Sequence, residues 1–196
     1  MHISDKFTIF AICYGKVIKS VNIHKKTFRF IPLAKPNNNT TPTCVITVGA
    51  SGCGKSTYVN KNFCDYAKLC MDDMRKELTG SVSDQSKNKE VHSLLTTRLK
   101  RHIAAKDNIA LPNTNLNANG LVQLLDMLND YNVILLLFDD SLRPELCAQR
   151  VTADINNGQD RANTAVVQGL IENMSERYVI LCSIQYTYNN VLIKII

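Results

Sequence analysis

Cys44-Val45-Ile46-Thr47-Val48-Gly49-Ala50-Ser51-Gly52-Cys53-Gly54-Lys55-Ser56-Thr57 is an apolar run that breaks into a glycine-rich turn and ends on a lysine and two hydroxyls. The run from Cys44 to Val48 reads as a buried parallel strand. Gly49 to Ser56 fits the pattern G-x-x-x-x-G-K-[ST], and each fixed position has a physical reason. Gly49, Gly52 and Gly54 let the backbone curl so that N–H groups around Ala50, Ser51 and Cys53 point inward at phosphate oxygens. Lys55 sets a mobile positive charge on the outer phosphates, and Ser56 offers its hydroxyl to Mg²⁺. A helix opening at Lys55 and running through Thr57 to Phe63 adds its positive N-terminal end. A strand before the loop and a helix after it predict a site for ATP and Mg²⁺ built from Gly49 to Thr57, with Ser56 as the metal contact.

From this stretch outward the chain alternates strands and helices. Tyr66–Cys70 reads as a second strand, with Asp72 and Asp73 at its C-terminal end. Ser86–Lys106 is the clearest helix, with Val91, Leu94, Leu95, Leu99, His102 and Ile103 on one stripe. Asn108–Pro112 is a third strand. Asn117 can cap a helix that carries Leu121, Leu124, Leu125 and Leu128 on one face. Val133–Phe138 has the look of a central strand, and Pro144 can occupy the first turn of a helix reaching about Ala153. A helix over Ala165–Arg177 and a strand over Tyr178–Cys182 complete the series. The alternation predicts an α/β fold, a doubly wound parallel sheet of the P-loop NTPase type.

The N-terminal side differs. Phe7–Ile12, Val17–Val21 and Thr27–Ile31 predict a small antiparallel meander, and residues 35–42 are a Pro- and Asn-rich linker. The division expected is a β-rich appendage with its linker at 1–42, a P-loop kinase domain at 43–182, and a strand-like extension at 183–196 with no assigned place.

An apolar share of 45% with 20% charged residues excludes wholesale disorder. The formal net charge of +6 favours polyanionic partners without requiring one. Seven cysteines, at 13, 44, 53, 64, 70, 147 and 182, form no C-x-x-C pair and no zinc spacing. Reduced thiols in a cytoplasmic setting are the expectation. No apolar run approaches the ~20 residues of a membrane span, so no membrane partner is expected.

Triphosphate binding alone does not say what receives the phosphate. In a doubly wound sheet the C-terminal strand ends line the cleft. A carboxylate at Asp72 can take a proton from an attacking hydroxyl. Arg75, one helical turn on, can hold an anionic group of the acceptor. The competing reading is an acidic helix start beside a solvated arginine.

Met71-Asp72-Asp73-Met74-Arg75, with Asn113-Thr114-Asn115-Leu116-Asn117 further on, resembles the D-D-x-R and D-T-N-L segments of phage-type polynucleotide 5′-kinases and related P-loop kinases. The resemblance runs from about 44 to 177 and takes in Ser83-Asp84-Gln85-Ser86, Phe138-Asp139-Asp140 and Arg150. It implies Asp72 as general base, Lys55 and Arg150 as catalytic phosphate contacts, and Arg75 on an acceptor phosphate. It also implies Asn113 and Asn115 on the substrate side. The reaction implied is ATP-dependent phosphorylation of a 5′-hydroxyl end of DNA or RNA.

Two departures stand out. The family carries Asp where this chain has Asn113. Its lid reads R-N-x-x-R, whereas here Arg150 is followed four residues later by Asp154, leaving Arg161 to supply the second arginine as a substrate contact. A P-loop kinase for a small hydroxyl acceptor, and a non-catalytic ATP-binding module, are the alternatives.

Overall fold

The computed structural model describes residues 41–115, 117–138, 143–161, 188 and 190–196, and the backbone of 8–13 and 16–22. Strands β1 (Thr8–Cys13) and β2 (Lys16–Asn22) pair antiparallel as a hairpin, with Ile12 opposite Val17. The third strand expected at Thr27–Ile31 lies outside the described residues.

The site-bearing body is a five-stranded parallel sheet in the order β4-β5-β3-β6-β7. Its strands are β3 (Thr43–Val48), β4 (Ala67–Lys68), β5 (Ile109–Leu111), β6 (Asn132–Leu137) and β7 (Val191–Ile195). β3 lies in the middle, with Ile46 beside Leu111 of β5 and Leu135 of β6. Cys44 to Val48 are all buried, as expected of a run apolar on both faces.

Alternation along the strands divides the core in two. Cys44, Ile46 and Val48 pack with Val133, Leu135 and Leu137 against one layer of helices. That layer holds α2 (Met71–Thr79), α3 (Asn88–Ala105) and α4 (Ala118–Met127). Val91, Leu95 and Leu99 are the buried edge of α3, and Leu121 and Leu125 that of α4. Val45, Leu136 and Phe138 face the other way, onto Tyr58 of α1 (Lys55–Asn62) and onto Cys147 and Val151 of α5 (Pro144–Asn156). Helices therefore cover both faces, as the doubly wound expectation required.

Asn117 caps α4 as expected, accepting from the N–H groups of Asn119 at 3.0 Å and Gly120 at 3.2 Å. α2 is a separate helix that the strand-to-strand reading did not set out. It begins directly after Cys70 and stops at Gly80, whose φ of 85° ends it in a left-handed turn.

One correction concerns the end of the chain. Residues 191–195, set apart above as part of an extension, are β7, parallel to β6 with Leu135 beside Ile193. The strand extends the sheet beyond 182, and Val191 is fully buried. The helix expected at 165–177 and the strand at 178–182 lie outside the described residues, as do Asp139 and Asp140. Among the described residues, no helix is long and apolar enough to cross a membrane, and Cys44, Cys53, Cys64 and Cys70 are free thiols.

Candidate active site

The phosphate loop leaves the C-terminal end of β3, at the sheet's centre. Gly52 and Gly54 hold φ of 81° and 93°, the left-handed conformations that the curl demands. Lys55 turns back over the loop. Its Nζ donates to the Ala50 carbonyl at 2.5 Å and lies 3.7 Å from the Cys53 Sγ. The residue is only 7% exposed. Burial lowers its pKa, because desolvation penalises the ammonium. The Cys53 thiol and, more weakly, the Asp72 carboxylate pull it back up. A buried ammonium held by a carbonyl and a thiol is well suited to an anion.

α1 begins without a side-chain cap at Gly54. Its first N–H groups therefore have no side-chain acceptor at the cap, and a helix start of this kind favours an anion. These features fit a triphosphate. Ser56 and Thr57 are exposed in the first turn, where the Ser56 hydroxyl could hold a divalent metal ion.

α5 closes one side of the loop. A Cβ placed on Gly52 would stand 2.4 Å from the carbonyl oxygen of Cys147 and 3.1 Å from Cγ2 of Val151. The glycine is thus required twice, by its backbone angle and by the helix against it. From the next turn of α5, Arg150 Nη1 donates to the Gly52 carbonyl at 3.2 Å. The structure brings Arg150 to the phosphate loop.

α2 forms the opposite side. Asp72 and Asp73 lie in its first turn, where carboxylates favour the positive helix end. The Asp72 side chain is 55% exposed and accepts from Arg75 Nη1 at 2.6 Å. Arg75 is buried, its Nη2 donates to Asn88 Oδ1 at 3.3 Å, and its Nε has no partner. The solvated-arginine reading therefore fails for Arg75. Asp73 pairs instead with Lys68 at 3.4 Å.

Asn113 and Asn115 lie between the two sides. Asn113 is buried, and its amide is engaged by backbone at both ends. Nδ2 donates to the Leu69 carbonyl at 3.1 Å, and Oδ1 accepts from the Met71 N–H at 2.8 Å. Asn115, at φ 47°, donates from Nδ2 to the Thr47 carbonyl at 2.9 Å. Asn113, expected on the substrate side, thus uses one N–H and its oxygen on the backbone at the start of α2.

The lid expectation also changes. Arg161 Nη2 donates to Asp154 Oδ2, so the acid in place of the second arginine is neutralised by the arginine meant to replace it. Asp160, beside it, reaches the loop after α2. It accepts from the N–H groups of Val82 at 2.5 Å and Ser83 at 3.1 Å and from Ser81 Oγ at 3.1 Å. The Val82 N–H is the main reason that its pKa falls below the ordinary carboxylate value. A depressed folded pKa contributes stability above the unfolded pKa and loses it as pH falls through the folded one. Asp160→Ala is therefore expected to lower the melting temperature at pH 7 and to match the wild type near pH ~2. A gap of equal size at both pH values would show that this carboxylate holds nothing.

Sequence reasoning did not find Asn88, Asp154 or Asp160 as partners. Asn88 stands 13 residues from Arg75, and Asp160 stands 77 to 79 from the groups it accepts from. No periodicity links such positions.

A family model described as an AAA domain matches residues 44–177. No curated protein sequence matches the chain. Among solved structures, a chain of the Pnkp1/Rnl/Hen1 RNA repair complex superposes with a TM-score of 0.63 at 18% identity, over 74% of this chain and 48% of its own. A second structure of the Pnkp1/Rnl/Hen1 complex gives 0.49 at 22% identity, over 57% and 40%. A gluconokinase from Sinorhizobium meliloti 1021 gives 0.42 at 15% identity, over 67% and 74%. The chain thus spans less than half the length of the two complex chains, and what it shares with the first is the fold.

Proposed function

The chain belongs to the AAA domain family through residues 44–177, within a P-loop kinase fold, and on that premise we propose that it is an ATP-dependent kinase of polynucleotide 5′-hydroxyl ends. The observation that carries this reading is the placement of Asp72. Its carboxylate acts electrostatically on the Lys55 ammonium and at the same time pairs with the buried Arg75. A triphosphate over Lys55 is then flanked by a base and, beyond the base, by a buried guanidinium.

In the reaction, Asp72 accepts the proton of the acceptor hydroxyl as its oxygen bonds to the γ-phosphorus. The bond from that phosphorus to the β,γ-bridging oxygen breaks, and the electron pair leaves with ADP. Lys55 and Arg150 balance the charge on the transferred and leaving oxygens. Mg²⁺, held through Ser56, would supply further charge neutralisation. Arg75 suits a phosphodiester next to the attacking hydroxyl, because a planar guanidinium matches phosphate oxygens in pairs. The D-D-x-R resemblance supports the same acceptor, as does the fold shared with a chain of an RNA repair complex.

The test is transfer from γ-labelled ATP across a panel of 5′-hydroxyl DNA, 5′-hydroxyl RNA, 5′-phosphorylated controls and small polyols. Label on the 5′-hydroxyl oligonucleotides alone is the expected result. Label on polyols alone would make this a small-molecule kinase, and label on nothing despite ATP binding would make it a non-catalytic module.

A further inference from the structure

We propose that Asn113 is a positioning residue whose side-chain N–H donor sets where Asp72 and Arg75 stand relative to the phosphate loop. For its catalytic consequence this rests on the kinase reading; for its structural content it does not. The two bonds of the amide straddle Cys70, the residue just before α2. Leu69 before it offers a carbonyl to Nδ2, and Met71 after it gives its N–H to Oδ1. The first N–H of α2, which has no partner within the helix, is thus satisfied from a distant strand end.

The backbone of the same segment grips the other side of the site. The Asn113 carbonyl accepts from Thr47 Oγ1 at 2.8 Å and from Asn115 Nδ2 at 3.3 Å. The next carbonyl, on Thr114, accepts from the N–H of Gly49, the first residue of the phosphate loop, at 3.1 Å. One short segment after β5 therefore ties the ATP loop to the helix that carries the base.

The chemistry of the brace requires an amide. Oδ1 must accept and Nδ2 must donate, and both jobs are done where the residue is 7% exposed. A carboxylate could still accept from Met71, but it would set a lone pair against the Leu69 carbonyl, in a buried place where unpaired charge is costly. A carboxylic acid could do both jobs. This accounts for the departure at Asn113 from the acidic residue of the resembled family: the position in this chain works as a neutral donor and acceptor.

The experiment uses the full chain with Asn113→Asp and Asn113→Ala. Transfer from labelled ATP to a 5′-hydroxyl oligonucleotide is followed from pH 5.5 to 8, and affinity for a non-hydrolysable ATP analogue is measured without turnover. At pH 8 both variants should lose about tenfold or more in kcat, the cost of at least one buried unsatisfied group, with analogue affinity changed by less than about threefold. As pH falls, the activity of Asn113→Asp relative to wild type should climb, because protonation restores the donor. Burial and the Leu69 carbonyl raise the pKa of the introduced carboxyl, against the lowering by the Met71 N–H and the positive start of α2, so the recovery is expected at the acid end of the series. Asn113→Ala should show no such recovery. A pH-independent ratio for Asn113→Asp would overturn the proposal, and so would a loss of analogue affinity as large as the loss of kcat.

If the wild type labels no acceptor, the kinase reading has failed and thermal unfolding decides the brace. Stability of Asn113→Asp that rises toward wild type with acid supports it. A constant deficit sinks it.

Discussion

Asp72→Asn is expected to slow phosphoryl transfer at least ~100-fold, the usual loss on removing a general base, while ATP affinity and folding stay near wild type. Asparagine keeps an oxygen where Arg75 Nη1 now donates at 2.6 Å, so the buried guanidinium retains a partner and α2 stays in place. What disappears is the basic oxygen that can take a proton, and with it a negative charge acting on Lys55. The measurement is single-turnover transfer at saturating ATP, paired with a thermal melt. Transfer at the wild-type rate would remove Asp72 from the mechanism. Loss of transfer accompanied by a collapsed melting temperature would assign it a structural role instead, as the counter-charge of Arg75.

Gly52→Ala is expected to abolish nucleotide binding and to destabilise the fold. The added methyl would meet a backbone carbonyl of α5 at 2.4 Å, where no side chain can rotate away. Overpacking of this kind costs about 1–3 kcal/mol, and the left-handed angle costs an alanine a further ~1–2 kcal/mol. α5 can relieve the clash only by moving, and that carries Arg150 off the Gly52 carbonyl. Gly54→Ala provides the contrast. Its φ is 93°, but a Cβ there meets nothing within 4 Å, so its melting temperature should fall only by the strain of the angle. Equal stability loss in the two variants would show that the contact with α5 is unimportant and that backbone angle alone selects these glycines.

The sequence was readable wherever one segment contained the whole cause. Five successive buried residues from Cys44 to Val48 specify a strand covered on both faces. Asn117 specifies a helix start because its oxygen reaches N–H groups only two and three residues on. The Val91, Leu95 and Leu99 spacing specifies which side of α3 is buried. Reading stopped where cause and effect lie far apart in the chain. β7 could not be placed, because an apolar run does not say which strand edge will accept it. Arg161 was set against phosphate because its charge is visible in sequence, but Asp154, one helical turn and a loop away, claims it first. Asn113 could be noticed as a departure from an acidic pattern, yet its use as a brace depends on Leu69 and Met71, 44 and 42 residues earlier.

The sequence by itself determined the phosphate loop, the strand that presents it, and the alternation that covers the sheet on both faces. These follow from local backbone geometry, side-chain period and the chemistry of adjacent groups, none of which requires knowing what else is nearby. Only the tertiary structure decided that Arg75 is buried and shared between Asp72 and Asn88, that α5 forbids a side chain at Gly52, and that the segment at Asn113 joins the phosphate loop to α2. Those are matters of distance between remote parts of the chain. Burial and hydrogen-bond partnership, unlike period and propensity, exist only once the sheet has brought its strand ends together.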